Sequence, residues 1–67
     1  MKNKNYFSGS IKKALNIIEC LGNSTKPLKA SEVARKTKLK RATAFRILIY
    51  LTSLGYVFKD GSTQLYS

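Results

Sequence analysis

Two arginines, a threonine and a phenylalanine occur at helical spacing near the middle of this 67-residue chain. Apolar residues recur every three or four positions around them, which predicts an amphipathic helix. With the apolar stripe turned inward, the outward face carries Arg41, Ala42, Phe45, Arg46 and Ile49. Guanidinium groups bond guanine O6 and N7, hydroxyl groups bond base edges or phosphates, and aromatic rings contact thymine methyl groups. The pattern therefore indicates a base-reading helix, with Lys40, Arg41, Ala42, Thr43, Phe45 and Arg46 as candidate contacts.

Each of these side chains also has a simpler interpretation. Phe45 and Tyr50 are aromatic residues at helical spacing, and such residues pack more often than they recognise a ligand. Arg41 and Arg46 fit a solvated charged face equally well. If Arg46 does contact DNA, the sequence allows either a base or a phosphate as its partner.

The charge of the whole chain favours a polyanionic partner. Thirteen Lys and Arg residues against three acids give a net charge of +10 and a pI near 10.1. Solubility alone needs less charge in a small domain. Basic and polar residues also surround the helix before the base-reading helix, where they suit phosphate contacts that fix position without reading sequence. The candidate backbone contacts are Lys29, Ser31, Arg35 and Lys36 around that helix, and Tyr50 on the third helix.

Residues suited to catalysis or metal binding are scarce. The chain has no His, a single Cys, and three acids that are far apart in sequence: Glu19, Glu32 and Asp60. A ligand pocket of ~300–1,000 Å³ would also take up much of the interior of so short a chain. We therefore expect no enzyme activity, no metal, no cofactor and no small-molecule ligand in this chain.

The composition also predicts the compartment. Cys20 has no second cysteine to form an intramolecular disulfide, which fits a reducing environment. No stretch approaches the ~18 apolar residues of a membrane span, and the polar start is not followed by the apolar run of a secretory signal. We expect a cytoplasmic protein without a membrane partner.

Three helices are predicted after a flexible basic arm at residues 1–9. The first covers residues 10–21, the second runs from residue 30 to about 37, and the third begins near Lys40 or Arg41 and stops at Gly55. The inward residues of the first helix are Ile11, Ala14, Leu15, Ile18 and Leu21. Those of the second are Ala30, Val33 and Ala34, and those of the third are Ala44, Ile47, Leu48, Leu51 and Leu54.

A small β-hairpin is predicted after the helices. Residues 56–58 and 63–66 have the composition of strands, and Asp60-Gly61 forms the turn between them. The tip of the hairpin is a wing, with Lys59 and Ser62 as its candidate DNA contacts. Residues 10–67 are thus predicted to form one mainly α domain, a winged helix-turn-helix. Because the second helix must stop before Leu39, Lys38 is expected in the left-handed conformation.

Several stretches carry a resemblance to a known family. They are residues 10–21, Pro27-Leu28, residues 31–37, residues 43–48, and Leu51 with Leu54-Gly55-Tyr56-Val57. The most specific part is the run Thr43-x-x-Arg46-x-Leu48 followed by Leu-Gly-Tyr-Val. Together these stretches resemble the N-terminal domain of the IclR family of bacterial and archaeal regulators. The chain departs from the family at Lys38, where Gly is usual, and at Lys29, where a Ser or Thr cap is common.

The resemblance implies both a partner and an assembly. In such regulators this domain binds an operator as part of a dimer or tetramer, and a larger C-terminal domain senses a small molecule. We therefore expect duplex DNA with a near-palindromic operator, bound by a homodimer that pairs on DNA or through a missing C-terminal domain. The candidate pairing surface in this chain is Ile17, Cys20 and Leu21. The alternative is a winged-helix module that binds RNA or a protein partner.

Overall fold

A computed structural model describes residues 9–67 of the chain, which contain three α-helices. These are α1 (Gly9–Gly22), α2 (Ala30–Thr37) and α3 (Arg41–Ser53). The predicted ranges of all three helices agree with these bounds to within one or two residues. The predicted arm lies outside the described residues, except for Gly9, which is the first residue of α1. None of the described helices is long and apolar enough to cross a membrane.

The core lies where the three helices meet, and the end of the chain closes it. Its buried side chains are Ile17, Leu28, Val33, Ala34, Ala44, Leu48, Leu51, Val57 and Tyr66. Ala34 of α2 and Ala44 of α3 both belong to this cluster. Since the distance between packed helices depends on the side chains at their contact, these small residues let α2 and α3 approach closely.

The helix α1 turns a different side toward the core than the apolar spacing predicts. Ile17 is 0% exposed, and the half-buried residues packed around the core from this helix are Ala14, Cys20 and Leu21. Three residues of the predicted stripe are instead exposed, namely Ile11 (51%), Leu15 (55%) and Ile18 (36%). The helix is apolar on two adjoining sides, so its spacing fits two orientations. The predicted pairing surface of Ile17, Cys20 and Leu21 is therefore also wrong.

The helix α3 buries the predicted side except at its end. Ala44, Leu48 and Leu51 are buried, whereas Leu54, which was predicted to point inward, is 52% exposed. Leu54 follows the last residue of α3, and Gly55 has a φ of +88° that a residue with a side chain rarely adopts. Because the chain turns at Gly55, Val57 enters the core in place of Leu54.

The predicted hairpin is not confirmed, because residues 9–67 contain isolated antiparallel bridges and no strand. Leu28 pairs with Tyr66, and Lys59 also pairs with Tyr66. The Leu28 N–H donates to the Tyr66 carbonyl at 2.9 Å, and the Tyr66 N–H donates to the Leu28 carbonyl at 2.7 Å. The end of the chain is thus held between the α1–α2 connection and the segment that follows α3.

The loop before Tyr66 also differs from the predicted Asp-Gly turn. The residue with positive φ is Gln64 (64°), not Gly61, and its N–H donates to the Asp60 carbonyl at 2.8 Å. Asp60 Oδ2 accepts hydrogen bonds from the Thr63 hydroxyl (2.7 Å), the Thr63 N–H (2.8 Å) and the Ser62 hydroxyl (3.2 Å). These bonds, those from Thr63 foremost, hold the pKa of Asp60 below its usual range. The Asp60 carboxylate therefore organises this loop.

Two adjacent isoleucines test the orientation of α1. Ile17→Ala should lower the free energy of unfolding by ~2–5 kcal/mol, because it empties a fully buried site. Ile18→Ala removes the same atoms from a partly exposed side chain, so we expect a clearly smaller loss. Urea unfolding followed by circular dichroism measures both variants. A larger loss at Ile18 than at Ile17 would show that α1 packs through the predicted stripe.

Candidate nucleic-acid interface

A tight turn at Lys38 joins α2 to α3. Lys38 has φ 60° and ψ 37°, which confirms the predicted left-handed conformation. The Lys38 N–H donates to the Arg35 carbonyl at 3.2 Å, and the Leu39 N–H donates to the Ala34 carbonyl at 2.9 Å. This is the Schellman arrangement that closes the C-terminal end of a helix. Leu39 then packs against the core, so the turn sets the direction in which α3 begins.

The outward face of α3 is exposed as predicted. Its exposed residues are Arg41, Ala42, Phe45, Arg46 and Ile49, while Thr43 is half-buried. Lys40, the N-cap residue, makes no side-chain hydrogen bond to the helix, and the first turn contains no acid. Lys40 and Arg41 therefore place two cations at the positive end of the helix dipole, which is unfavourable without a nearby anion. The first N–H groups of α3 point the same way, so this end of the helix suits a negatively charged ligand.

A groove of about 280 Å³ lies between the N-terminal end of α2, Phe45 of α3 and the end of the chain. It is lined by Lys29, Ala30, Ser31, Phe45, Thr63, Gln64 and Tyr66. The structure thus brings the predicted backbone contacts Lys29 and Ser31 next to Phe45 of α3. The N-terminal end of α2 is ordered here by the Lys29 N–H, which donates to Glu32 Oε1 at 2.9 Å. This bond, aided by nearby basic residues, holds the pKa of Glu32 below its usual range.

A second groove of about 260 Å³ lies on the α1 side of α3. It is lined by Ser10, Lys13, Thr43, Arg46 and Ile47. Two of these residues, Thr43 and Arg46, were predicted to contact DNA, whereas Ser10 and Lys13 were not. The sequence does contain a signal for Lys13, because a lysine in the first turn of the predicted helix opposes the helix dipole.

The remaining predicted contacts lie apart from these grooves. Arg35 and Lys36 are exposed in the last turn of α2, and Lys36 lines a separate groove with Asn16, Glu19, Cys20, Asn23, Thr37 and Lys38. Tyr50 is 62% exposed in a later turn of α3.

The two predicted wing contacts have intramolecular partners. Lys59 is half-buried, with its Nζ 5.7 Å from the centroid of the Tyr66 ring, and the Ser62 hydroxyl donates to Asp60. Across residues 9–67, no group of His, Cys, Asp and Glu side chains is arranged to hold a metal ion.

Comparison with known proteins gives a family and a structural relative. Residues 10–61 match the family model of the IclR helix-turn-helix domain. The structure is similar to the crystal structure of an IclR family transcriptional regulator from Brucella abortus, with a TM-score of 0.86 and 27% sequence identity. The match covers 98% of this chain and 25% of the regulator, so the chain spans about a quarter of the length of that protein. No curated protein sequence matches the chain.

The turn that positions α3 is tested by Lys38→Gly. A left-handed conformation costs a residue with a side chain ~1–2 kcal/mol, of which ~0.4–1 kcal/mol is offset because Gly loosens the unfolded chain. We therefore expect an unchanged or slightly higher free energy of unfolding. The matched variant Lys36→Gly lies inside α2 and should lose ~1 kcal/mol. Thermal unfolding compares the two, and a loss above ~1 kcal/mol at Lys38 would contradict this account.

Proposed function

The chain belongs to the IclR helix-turn-helix family, and on this premise we propose that it is the DNA-binding domain of a transcriptional regulator that recognises an operator sequence. The observation that carries the proposal is the N-terminal end of α3, which is exposed, cationic and without a capping side chain. In helix-turn-helix proteins this end of the second helix contacts base edges in the major groove. A regulator of this kind acts on DNA in the cytoplasm, and its activity is binding without catalysis.

The exposed residues of α3 divide by position into base contacts and backbone contacts. Arg41, at the first turn, donates to a guanine, and Phe45, further along, contacts a thymine methyl group. Lys40, Ala42, Thr43 and Arg46 complete the surface of α3 that meets DNA. The proposed backbone contacts are Lys29, Ser31, Arg35, Lys36 and Tyr50, with Lys59 and Ser62 from the loop after α3. Lys29 and Ser31 have the strongest support, because they share a groove with Phe45.

Duplex DNA fits this surface better than the two alternative partners. The major groove of duplex RNA is deep and narrow, and α3 cannot enter it. A protein partner would not require a net charge of +10. Lys40, Arg41 and Arg46 are exposed at the start and on the outward face of α3, and a basic helix face is what major-groove binding uses.

The proposed function is tested first by the dependence of affinity on salt. If the domain neutralises several phosphates, log K for duplex DNA should fall linearly with log salt concentration, by ~0.9 per phosphate. Fluorescence anisotropy at several salt concentrations measures the slope, and duplex RNA of the same sequence is the control. A slope near zero, or equal affinity for RNA, would rule out the proposal.

A second test separates base reading from positioning. Arg41→Ala should cost ~1–3 kcal/mol on the best site and relax the preference at one base position. Lys29→Ala should weaken specific and random duplexes alike, because a phosphate contact carries no sequence information. Selection from a random pool followed by affinity measurements compares the variants. If Arg41→Ala weakens specific and random DNA equally, Arg41 is a phosphate contact.

We further propose that two copies bind a near-palindromic operator, since one helix reads few base pairs and a single module buries only ~600–1,000 Å² on DNA. The pairing surface is the exposed side of α1 around Leu15 and Ile18. This apolar area is small, so we expect a monomer or a weak dimer in solution that pairs mainly on DNA. Two half-sites can then bind one dimer about one helical turn apart.

The pairing surface is tested by the double variant Leu15→Ser/Ile18→Ser. Joining two binding events raises affinity by up to ~10²–10⁴-fold, so the wild type should prefer a full palindrome to a half-site. The double variant should lose most of this preference and keep its half-site affinity, which serves as the internal control. Analytical ultracentrifugation reports the free state. A tight dimer without DNA, or an unchanged preference in the variant, would contradict this assembly.

A further inference from the structure

We propose that the groove between α1 and α3 binds the sugar–phosphate backbone of one DNA strand, with Lys13 and Arg46 as its two phosphate contacts. The inference rests on the proposed DNA-binding function and makes it more specific. Lys13 comes from the N-terminal part of α1 and Arg46 from the outward face of α3, and both side chains are exposed. The two cations approach the same groove from different helices.

The charge around this groove favours an anion. No carboxylate is among its lining residues. The three acids of the chain lie elsewhere: Glu19 lines the groove with Lys36, Glu32 accepts from the Lys29 N–H, and Asp60 accepts hydrogen bonds in its own loop. Within the described residues, neither Lys13 nor Arg46 has an ion-pair partner. Two like charges directed at one groove repel each other, and a bound anion removes that cost.

The other lining residues suit a phosphate as well. Thr43 is half-buried and its hydroxyl offers a neutral donor, while Ile47, also half-buried, forms an apolar part of the wall. Partial exclusion of water by such a wall strengthens charge–charge attraction and weakens its screening by salt. Lysine supplies a point charge to a phosphate, and arginine supplies a planar pair of donors.

This assignment gives Arg46 a different role from Arg41. Arg46 faces the groove shared with α1, whereas Arg41 lies at the free N-terminal end of α3 and is not part of the groove. Arg46 therefore fixes the position of α3 in the major groove, and Arg41 reads a base. We thus assign a phosphate, and not a base, as the partner of Arg46.

Two adjacent lysines provide a matched test. Lys12 and Lys13 are both exposed near the N-terminal end of α1, but only Lys13 lines the groove. Lys12→Ala and Lys13→Ala reduce the net charge equally. For Lys13→Ala, the salt slope should fall by ~0.9, which corresponds to an affinity loss of about 8-fold at ~0.1 M salt. Lys12→Ala should leave the slope unchanged, and Lys13→Arg should keep the wild-type slope.

Arg46→Ala completes the experiment. Its slope should also fall by ~0.9, with the same loss on the best selected duplex and on a random duplex. Thermal unfolding of every variant confirms that the fold is kept. Equal effects of Lys12→Ala and Lys13→Ala would overturn the inference, as would a change of base preference in Arg46→Ala. In either case, the proposed function stands if log K of the wild-type chain for DNA still falls with log salt concentration. If the wild type shows no salt-dependent binding, both proposals fail.

Discussion

The left-handed backbone at Lys38 is the constraint on which the surface of α3 depends. It closes the end of α2, where the Ala34 and Arg35 carbonyls accept hydrogen bonds from the turn. It also places Leu39 against the core and fixes the residue at which α3 begins. Each residue advances an α-helix by ~100°, so a shift of the start by one position would rotate a different side of α3 toward the core. Because Ala44 and Leu48 are the side chains that fit there, the same turn determines that Arg41 and Phe45 face outward.

The charge distribution of the domain opposes folding and favours binding. A net charge of +10 on a chain of 67 residues produces repulsion between cations in the compact state. Lys40 and Arg41 add to this cost at the start of α3, where no acid or capping side chain balances them. A polyanion that binds only the folded chain lowers these costs and raises its stability through mass action. The unfavourable features of the isolated fold are therefore the favourable features of a complex with DNA.

Local signals account for what could be predicted from the sequence. The ranges of α2 and α3, and the conformation of Lys38, follow from one clear apolar period and one required turn. The orientation of α1 did not follow, because its apolar residues occupy two adjoining sides and only the assembled core selects Ile17. The pairing of Leu28 with Tyr66 joins the α1–α2 connection to the end of the chain, two segments that are far apart in the sequence. A local sequence pattern cannot predict a contact between distant segments. For the same reason, the sequence did not predict that Lys13 and Arg46 line one groove.

The helix α1 connects the features that the domain needs for recognition. Residues three or four positions apart share a side of a helix, so Lys13 and Ile17 lie together, as do Leu15 and Ile18. The first pair faces the core and the groove beside α3, whereas the second pair is exposed on nearly the opposite side of the helix. In the proposed complex, one rigid helix thus carries both a phosphate contact and the surface that meets a second copy. Since the two features cannot move independently, pairing through α1 fixes the distance between the phosphate contacts of the two copies, and through it the spacing of the half-sites that they can bind together.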